Sequence, residues 1–181
     1  MPELMEIITK RRSIRKYEDK EVPPAILNEI LEAVRWAPSR ANTQSWDIVV
    51  VTDPEQRARL QETLPPKGNP ARTAIVQAPV LLAVCAKLTT SGYYKELVTT
   101  KFGDWFMFDL GLATQNLCLA ACNQGLGTVI VGLFDHDKAG AILKMPANHE
   151  VVVLIPLGYP AKQSSPPKRK ELDEFVRINT F

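Results

Sequence analysis

Val80-Leu81-Leu82-Ala83-Val84-Cys85-Ala86 is an unbroken apolar run. Successive side chains of a strand point to opposite faces, so a strand with no polar side must be covered on both. Glu150 to Leu157, ending at Gly158, reads the same way. Segments at helical spacing are available to cover such strands. Leu4, Met5, Ile7 and Ile8 mark a helix over residues 3–12. Ile26, Leu27, Ile30, Leu31 and Val34 form the stripe of a second helix, opened by Pro23-Pro24 and closed by Pro38. Asp53-Pro54 starts a third, largely charged helix that runs to about Leu64.

Asp109 to Gln124 is the most helical stretch, capped by Gly125, with small residues Gly111, Ala113, Ala120 and Ala121 for close packing. A further helix, capped by Asp135 or Asp137, runs through Leu143 and stops before Pro146. Trp46 to Val51 and Val129-Ile130-Val131 read as additional strands. At 181 residues the chain fits one domain. Pro65 to Pro70 is too short a break to be a linker, and residues 88–103, without periodicity, read as a mobile excursion.

Charge narrows the function classes. Lys and Arg number 22 against 20 for Asp and Glu, so no global basic field recruits nucleic acid. No stretch has the roughly 18 uninterrupted apolar residues of a membrane-spanning helix. The acidic opening Met1-Pro2-Glu3 has no signal-like core, and three cysteines without disulfide spacing suit the cytoplasm. Cys118 and Cys122 lie one turn apart, but His136 and His149 offer no matching ligand spacing; buried thiols explain them better than a metal.

The positive charge is local, at residues 10–20 and again at 162–170. Lys10-Arg11-Arg12-Ser13-Ile14-Arg15-Lys16 combines cations with a hydroxyl, and guanidinium forks match the oxygens of a phosphate. The same run also suits a solvated surface. Pro38-Ser39-Arg40-Ala41-Asn42-Thr43-Gln44-Ser45-Trp46 is either a plain helix-to-strand connection or, given its density of hydrogen-bonding side chains, a ligand loop. Gly125-Leu126-Gly127-Thr128 lacks the third glycine of a dinucleotide fingerprint. Gly132, at a strand end, suits backbone that comes close to a flat ring. Trp105, Phe106 and Phe108 fit a core or a pocket mouth equally. After Gly158 come a Pro/Ser-rich stretch, the cations Lys168-Arg169-Lys170, and the apolar positions Leu172, Phe175, Val176 and Ile178, which need a surface to bury against, such as a partner subunit.

In order and separation, the basic run, the Pro38–Trp46 loop, Gly125-Leu126-Gly127-Thr128 with Gly132, Gly158-Tyr159-Pro160 and Lys168-Arg169 resemble the nitroreductase family over nearly the whole chain. The resemblance implies an α+β sandwich: a central, mainly antiparallel sheet flanked by helices, in an intertwined homodimer. Residues 1–160 then form a single FMN-binding domain, and 161–181 an extension that wraps the partner. FMN is the implied cofactor, and NADH or NADPH the electron donor. The acceptor is a nitroaromatic, a quinone or a similar small molecule, reduced in alternating steps on the flavin, with no catalytic side chain and no metal.

By the same resemblance, Arg11, Arg12, Ser13 and Arg15 hold the phosphate and ribityl end, joined by Arg169 and Lys168. Pro38, Ser39, Arg40 and Asn42 reach the flavin of the opposite subunit. The backbone at Gly132 and Leu133 lies by the isoalloxazine, and Asn69 adds a polar contact. Alternatives within the resemblance are a non-catalytic flavin sensor, a dehalogenase and an enone reductase. Ser45 departs from the pattern, since many relatives carry proline there.

Overall fold

In the computed structural model, which describes residues 3–181, the two apolar runs pair at the centre of one sheet. Met1 and Pro2, the head of the acidic opening, lie outside the described residues. The chain begins with α1 (Leu4–Lys10), α2 (Pro24–Arg35), a 3-10 turn (Arg40–Asn42), β1 (Trp46–Val51), α3 (Pro54–Gln61) and α4 (Ala74–Gln77). It continues through β2 (Val80–Lys87), β3 (Tyr93–Tyr94), β4 (Leu97–Val98), α5 (Phe106–Asn123), β5 (Gly127–Thr128), α6 (His136–Leu143) and β6 (His149–Gly158). A last 3-10 turn spans Leu172–Glu174. The main sheet has the order β1-β2-β6-β5, with every pairing antiparallel.

Both faces of β2 are buried, as its composition requires. Leu81, Ala83 and Cys85 face one apolar layer with Leu60 of α3, Ile75 of α4 and Ile142 of α6. Val80, Leu82, Val84 and Ala86 face another with Ile30 and Val34 of α2 and Leu117 of α5. A bulge at Val84/Cys85 skips Val152, so Val151 and Leu154 share a face although three positions apart. Burial pushes the Cys85 thiol up to about 12, as befits core filling.

Several boundaries differ from the sequence expectation, each for a local reason. The first helix stops at Lys10, not residue 12, because Arg11 turns to extended backbone (ψ 129°). The helix expected from Asp109 starts at Phe106, since the Trp105 carbonyl already accepts from the N–H of Phe108 at 3.1 Å. Its end matches. Gly125 sits at φ +74°, with its N–H on the Cys122 carbonyl and that of Leu126 on the Ala121 carbonyl. The third helix ends at Gln61, short of Leu64, and α4 arises in a segment given no element from sequence.

The strand expected at Val129–Val131 is instead β5 at Gly127–Thr128 plus one bridge from Val131 to Leu154. The register of β5 on β6, continued, sets Val129 against Pro156, which has no N–H to give. Residues 88–103 contain the β3–β4 hairpin, turned by Lys95 and Glu96 at φ +47° and +65°.

Beyond α1 the basic run is an extended strip alongside this broken edge. Ser13 bridges Thr128, the Ile14 N–H meets the Thr128 carbonyl at 2.9 Å, and Tyr17 bridges Pro160. The buried Tyr17 hydroxyl reaches the carbonyls of Ile14 (2.8 Å) and Pro156 (3.1 Å), and burial drives its ionisation to higher pH. Two glycines leave the space. A Cβ on Gly127 would stand 2.5 Å from Ile14 Cγ1, and one on Gly158 would stand 2.6 Å from Pro79 Cδ and 3.1 Å from Tyr17 Cδ1. Gly127→Ala is therefore expected to cost about 1–3 kcal/mol in urea unfolding. Combined with Ile14→Ala, which removes the Cγ1 and Cγ2 contacts but keeps the Ile14 Cβ at 2.7 Å, it should destabilise by less than the sum of the two single changes.

Candidate functional site

The strip divides its side chains between two adjoining clefts that share Gln163 and Ser164. One, of about 420 Å³, is lined by Lys10, Arg11 and Arg12 together with Cys118, Cys122 and residues 125–128. The other, of about 430 Å³, is lined by Ser13, Arg15, Lys16 and Lys162. Among the described residues, neither is lined by an aspartate or glutamate. Both clefts are thus built to attract an anion. Burial pushes the ionisation of the Cys118 and Cys122 thiols to higher pH, against the pull of the neighbouring Arg11 guanidinium.

The cations are not equivalent. Arg12 donates from Nη1 to the carbonyls of Thr9 (2.6 Å) and Arg11 (2.7 Å), closing the end of α1, while its buried Nε has no partner. The side chains of Arg11 and Ser13 hydrogen-bond to no described residue, and Arg15 makes only a 3.4 Å contact to the Ser13 carbonyl. Among the cleft-lining groups, Arg11, Ser13, Lys16 and Lys162 thus have no side-chain partner among the described residues, and Arg15 has only that weak one. Lys168 and Arg169 line neither cleft, and the tail that bears them is exposed from 161 to 181. Lys162 stands in the second cleft instead, a position that the charge cluster at 162–170 included without singling it out.

The second candidate region is the loop of Pro38, Ser39, Arg40 and Asn42, which lines neither cleft of the single chain. Ala41, Asn42 and Gln44 all have positive φ (50°, 55° and 46°), which is costly backbone for residues with a Cβ. Two bonds help to hold it. The Ser39 hydroxyl accepts the Gln44 N–H at 2.9 Å, and the buried Asp109 carboxylate accepts the Arg40 N–H at 3.0 Å. The other Asp109 oxygen takes the Ser91 hydroxyl at 2.6 Å, tying the loop to the root of the β3–β4 hairpin. Proline disfavours helical backbone in the residue before it, a restriction that Ser45 does not place on the left-handed Gln44. Sequence reading passed over Asp109 because, as a helix residue, nothing marked it as buried.

The third region is Gly132-Leu133, both exposed. Asn69 Nδ2 reaches the Leu133 carbonyl at 3.4 Å, so Asn69 does stand beside this backbone. His136 Nε2 lies 3.3 Å from the Gly132 carbonyl. The N–H groups of Gly132 and Leu133 have no acceptor among the described residues. Gly132 lies five positions after Gly127, at most about 18 Å of extended chain, so one elongated ligand can touch both places.

The model of the nitroreductase family matches residues 8–67 and 62–159. The chain belongs to the nitroreductase family. It is 31% identical over 192 residues to an NADH dehydrogenase of Thermus thermophilus, covering 92% of this chain and 91% of that one. An FMN-dependent nitroreductase structure from Clostridium difficile superposes with a TM-score of 0.80 at 27% identity, covering 98% of this chain and 99% of the other. Pig iodotyrosine deiodinase 1 is 27% identical over 206 residues, covering 96% of this chain and 68% of its own. The α+β architecture expected from sequence is the one observed. Among the described residues, no helix is long and apolar enough to cross a membrane.

Asp109→Ala leaves the Arg40 N–H and the Ser91 hydroxyl unpaired. It should cost about 2–4 kcal/mol in urea unfolding and speed amide exchange at Arg40.

Proposed function

We propose that this member of the nitroreductase family is an NAD(P)H-dependent oxidoreductase that binds FMN by its phosphate at the Arg11–Arg15 strip. The observation that carries this reading is the pair of adjoining cationic clefts, free of carboxylates among the described residues, with Arg11 and Ser13 unpartnered. When bound, the flavin supplies the redox chemistry, accepting two electrons from NADH or NADPH and passing them, in alternating half-reactions, to a nitroaromatic, quinone or similar small acceptor.

The chain's own part is to bind, orient and tune. Arg11, Ser13 and Arg15 hold the phosphate through charge-assisted bonds, with Lys162 adding charge from the neighbouring cleft. Arg12 serves mainly by fixing the end of α1, and so the start of the strip. Gly132 and Leu133 offer free N–H groups to the ring, and their nearby exposure leaves room for an acceptor.

The protein acts as a homodimer in this reading. Leu4, Met5 and Ile8 of α1, Met107 and Phe108 of α5, and Leu172, Phe175 and Ile178 of the tail are all exposed in the single chain. So much apolar surface suits a subunit interface. Residues 161–181 then wrap the partner subunit, bringing Lys168 and Arg169 to a phosphate site. Pro38, Ser39, Arg40 and Asn42 reach across to the partner's flavin. Free Cys85, Cys118 and Cys122 suit a reducing cytoplasm. The deiodinase likeness supports a second reading, reductive removal of halide from an aromatic ring, which release of iodide from an iodophenol would distinguish.

The purified protein should be yellow, lose that colour when NADH or NADPH is added anaerobically, and regain it with a quinone or nitroarene. Bleaching without recovery by any acceptor would reduce it to a flavin-binding protein. Arg11→Ala or Arg15→Ala should weaken FMN binding by about tenfold to a hundredfold, from roughly 1.5–3 kcal/mol per charged hydrogen bond. Stoichiometric flavin in the double variant would contradict the phosphate assignment.

A further inference from the structure

The segment from Val131 to His136 is fastened at both ends. Val131 exchanges backbone hydrogen bonds with Leu154 at 2.9 Å each way, and the Asp135 N–H donates to the Thr63 carbonyl at 2.9 Å. Phe134 is buried between them. Between those two fastenings Gly132 and Leu133 are exposed, and their N–H groups, like that of the buried Phe134, have no acceptor among the described residues.

His136 is placed where it can set that bridge. Its ring stacks on Phe134, centroids 4.1 Å apart, which fixes its plane. Nδ1 lies 2.7 Å from the Val151 carbonyl and Nε2 lies 3.3 Å from the Gly132 carbonyl. Both partners are acceptors only. A neutral imidazole has a single N–H, so one ring nitrogen would present a lone pair to a carbonyl oxygen; with both nitrogens protonated, both contacts are attractive. No residue among those described forms an ion pair with His136.

We propose that His136 is a positioning residue for the flavin: Nδ1–H anchors the ring to β6, and Nε2–H holds the Gly132 carbonyl. The Gly132–Leu133 peptide is thereby turned so that the Leu133 N–H stays outward and unspent, while the Gly132 N–H belongs to the preceding peptide, whose Val131 carbonyl is held by the Leu154 N–H. This inference rests on the reading that the bridge faces the flavin ring. A glutamine at 136 can place an amide N–H near the position of Nε2, whereas asparagine places one near Nδ1 and leaves the Gly132 carbonyl unheld.

The test compares wild type, His136→Asn and His136→Gln by hydrogen–deuterium exchange with and without FMN, by FMN titration, and by flavin midpoint potential. FMN should slow exchange at 132–133 in wild type and His136→Gln. His136→Asn should lose that protection, bind FMN about two- to tenfold more weakly and show a shifted potential that glutamine restores. Equal protection, affinity and potential in all three would overturn the role of His136 and leave the flavin reading standing. FMN binding without protection at 132–133 in wild type would overturn both. Should His136→Asn fail to fold, nitrogen NMR of the FMN-loaded wild type decides, since the proposal requires a proton on both ring nitrogens and an unprotonated Nε2 would overturn it.

Discussion

The seating of Ile14 and Tyr17 against the β5–β6 edge is the interaction on which the site depends. Pro156 interrupts the ladder between these strands, and its carbonyl accepts the Tyr17 hydroxyl in a place where pairing with β5 has lapsed. Gly127 and Gly158, directly opposite each other in the register, leave the volume that the two side chains occupy. A strip of closely spaced cations repels itself. It holds an extended shape here because Ile14 and Tyr17 are buried and because backbone bonds tie residues 14, 16 and 18 to the sheet.

That arrangement separates structural from binding duties within a few residues. Ile14 and Tyr17 point inward and fasten the strip; Arg11, Ser13 and Arg15 are left without strong internal partners. Arg12 is the exception, since its donors close the end of α1. The helix end itself contributes nothing attractive to an anion, because a C-terminus carries partial negative charge. Side-chain cations have to supply the field, and their number in these clefts is understandable on that ground. Elsewhere backbone is left without internal partners at Gly132-Leu133, whose N–H groups have no acceptor among the described residues, and is strained in the Ser39–Gln44 loop held by Asp109.

The central pair of strands was legible because composition alone forbids Val80–Ala86 a solvent face. The basic run was legible as a local concentration of charge, which by itself suits a solvated surface as well as an anion; its place along two clefts free of carboxylates among the described residues was not. Other features depend on relations between distant residues. That Val129 falls opposite Pro156, that Gly127 clears Ile14, and that Asp109 meets Arg40 and Ser91 are consequences of register and packing, which no local pattern records. The reach of Lys168 and Arg169 belongs to the same class, since a tail exposed along its length takes its position from whatever it docks on.

The central claim is that one phosphate is gripped by the strip that Ile14 and Tyr17 fasten to the sheet. A crystal structure of the protein grown with FMN tests it most directly. The account predicts the phosphate within hydrogen-bonding distance of Arg11, Ser13 and Arg15, with the ring end toward Gly132. A phosphate bound elsewhere, with those three side chains turned to open solvent, would contradict it.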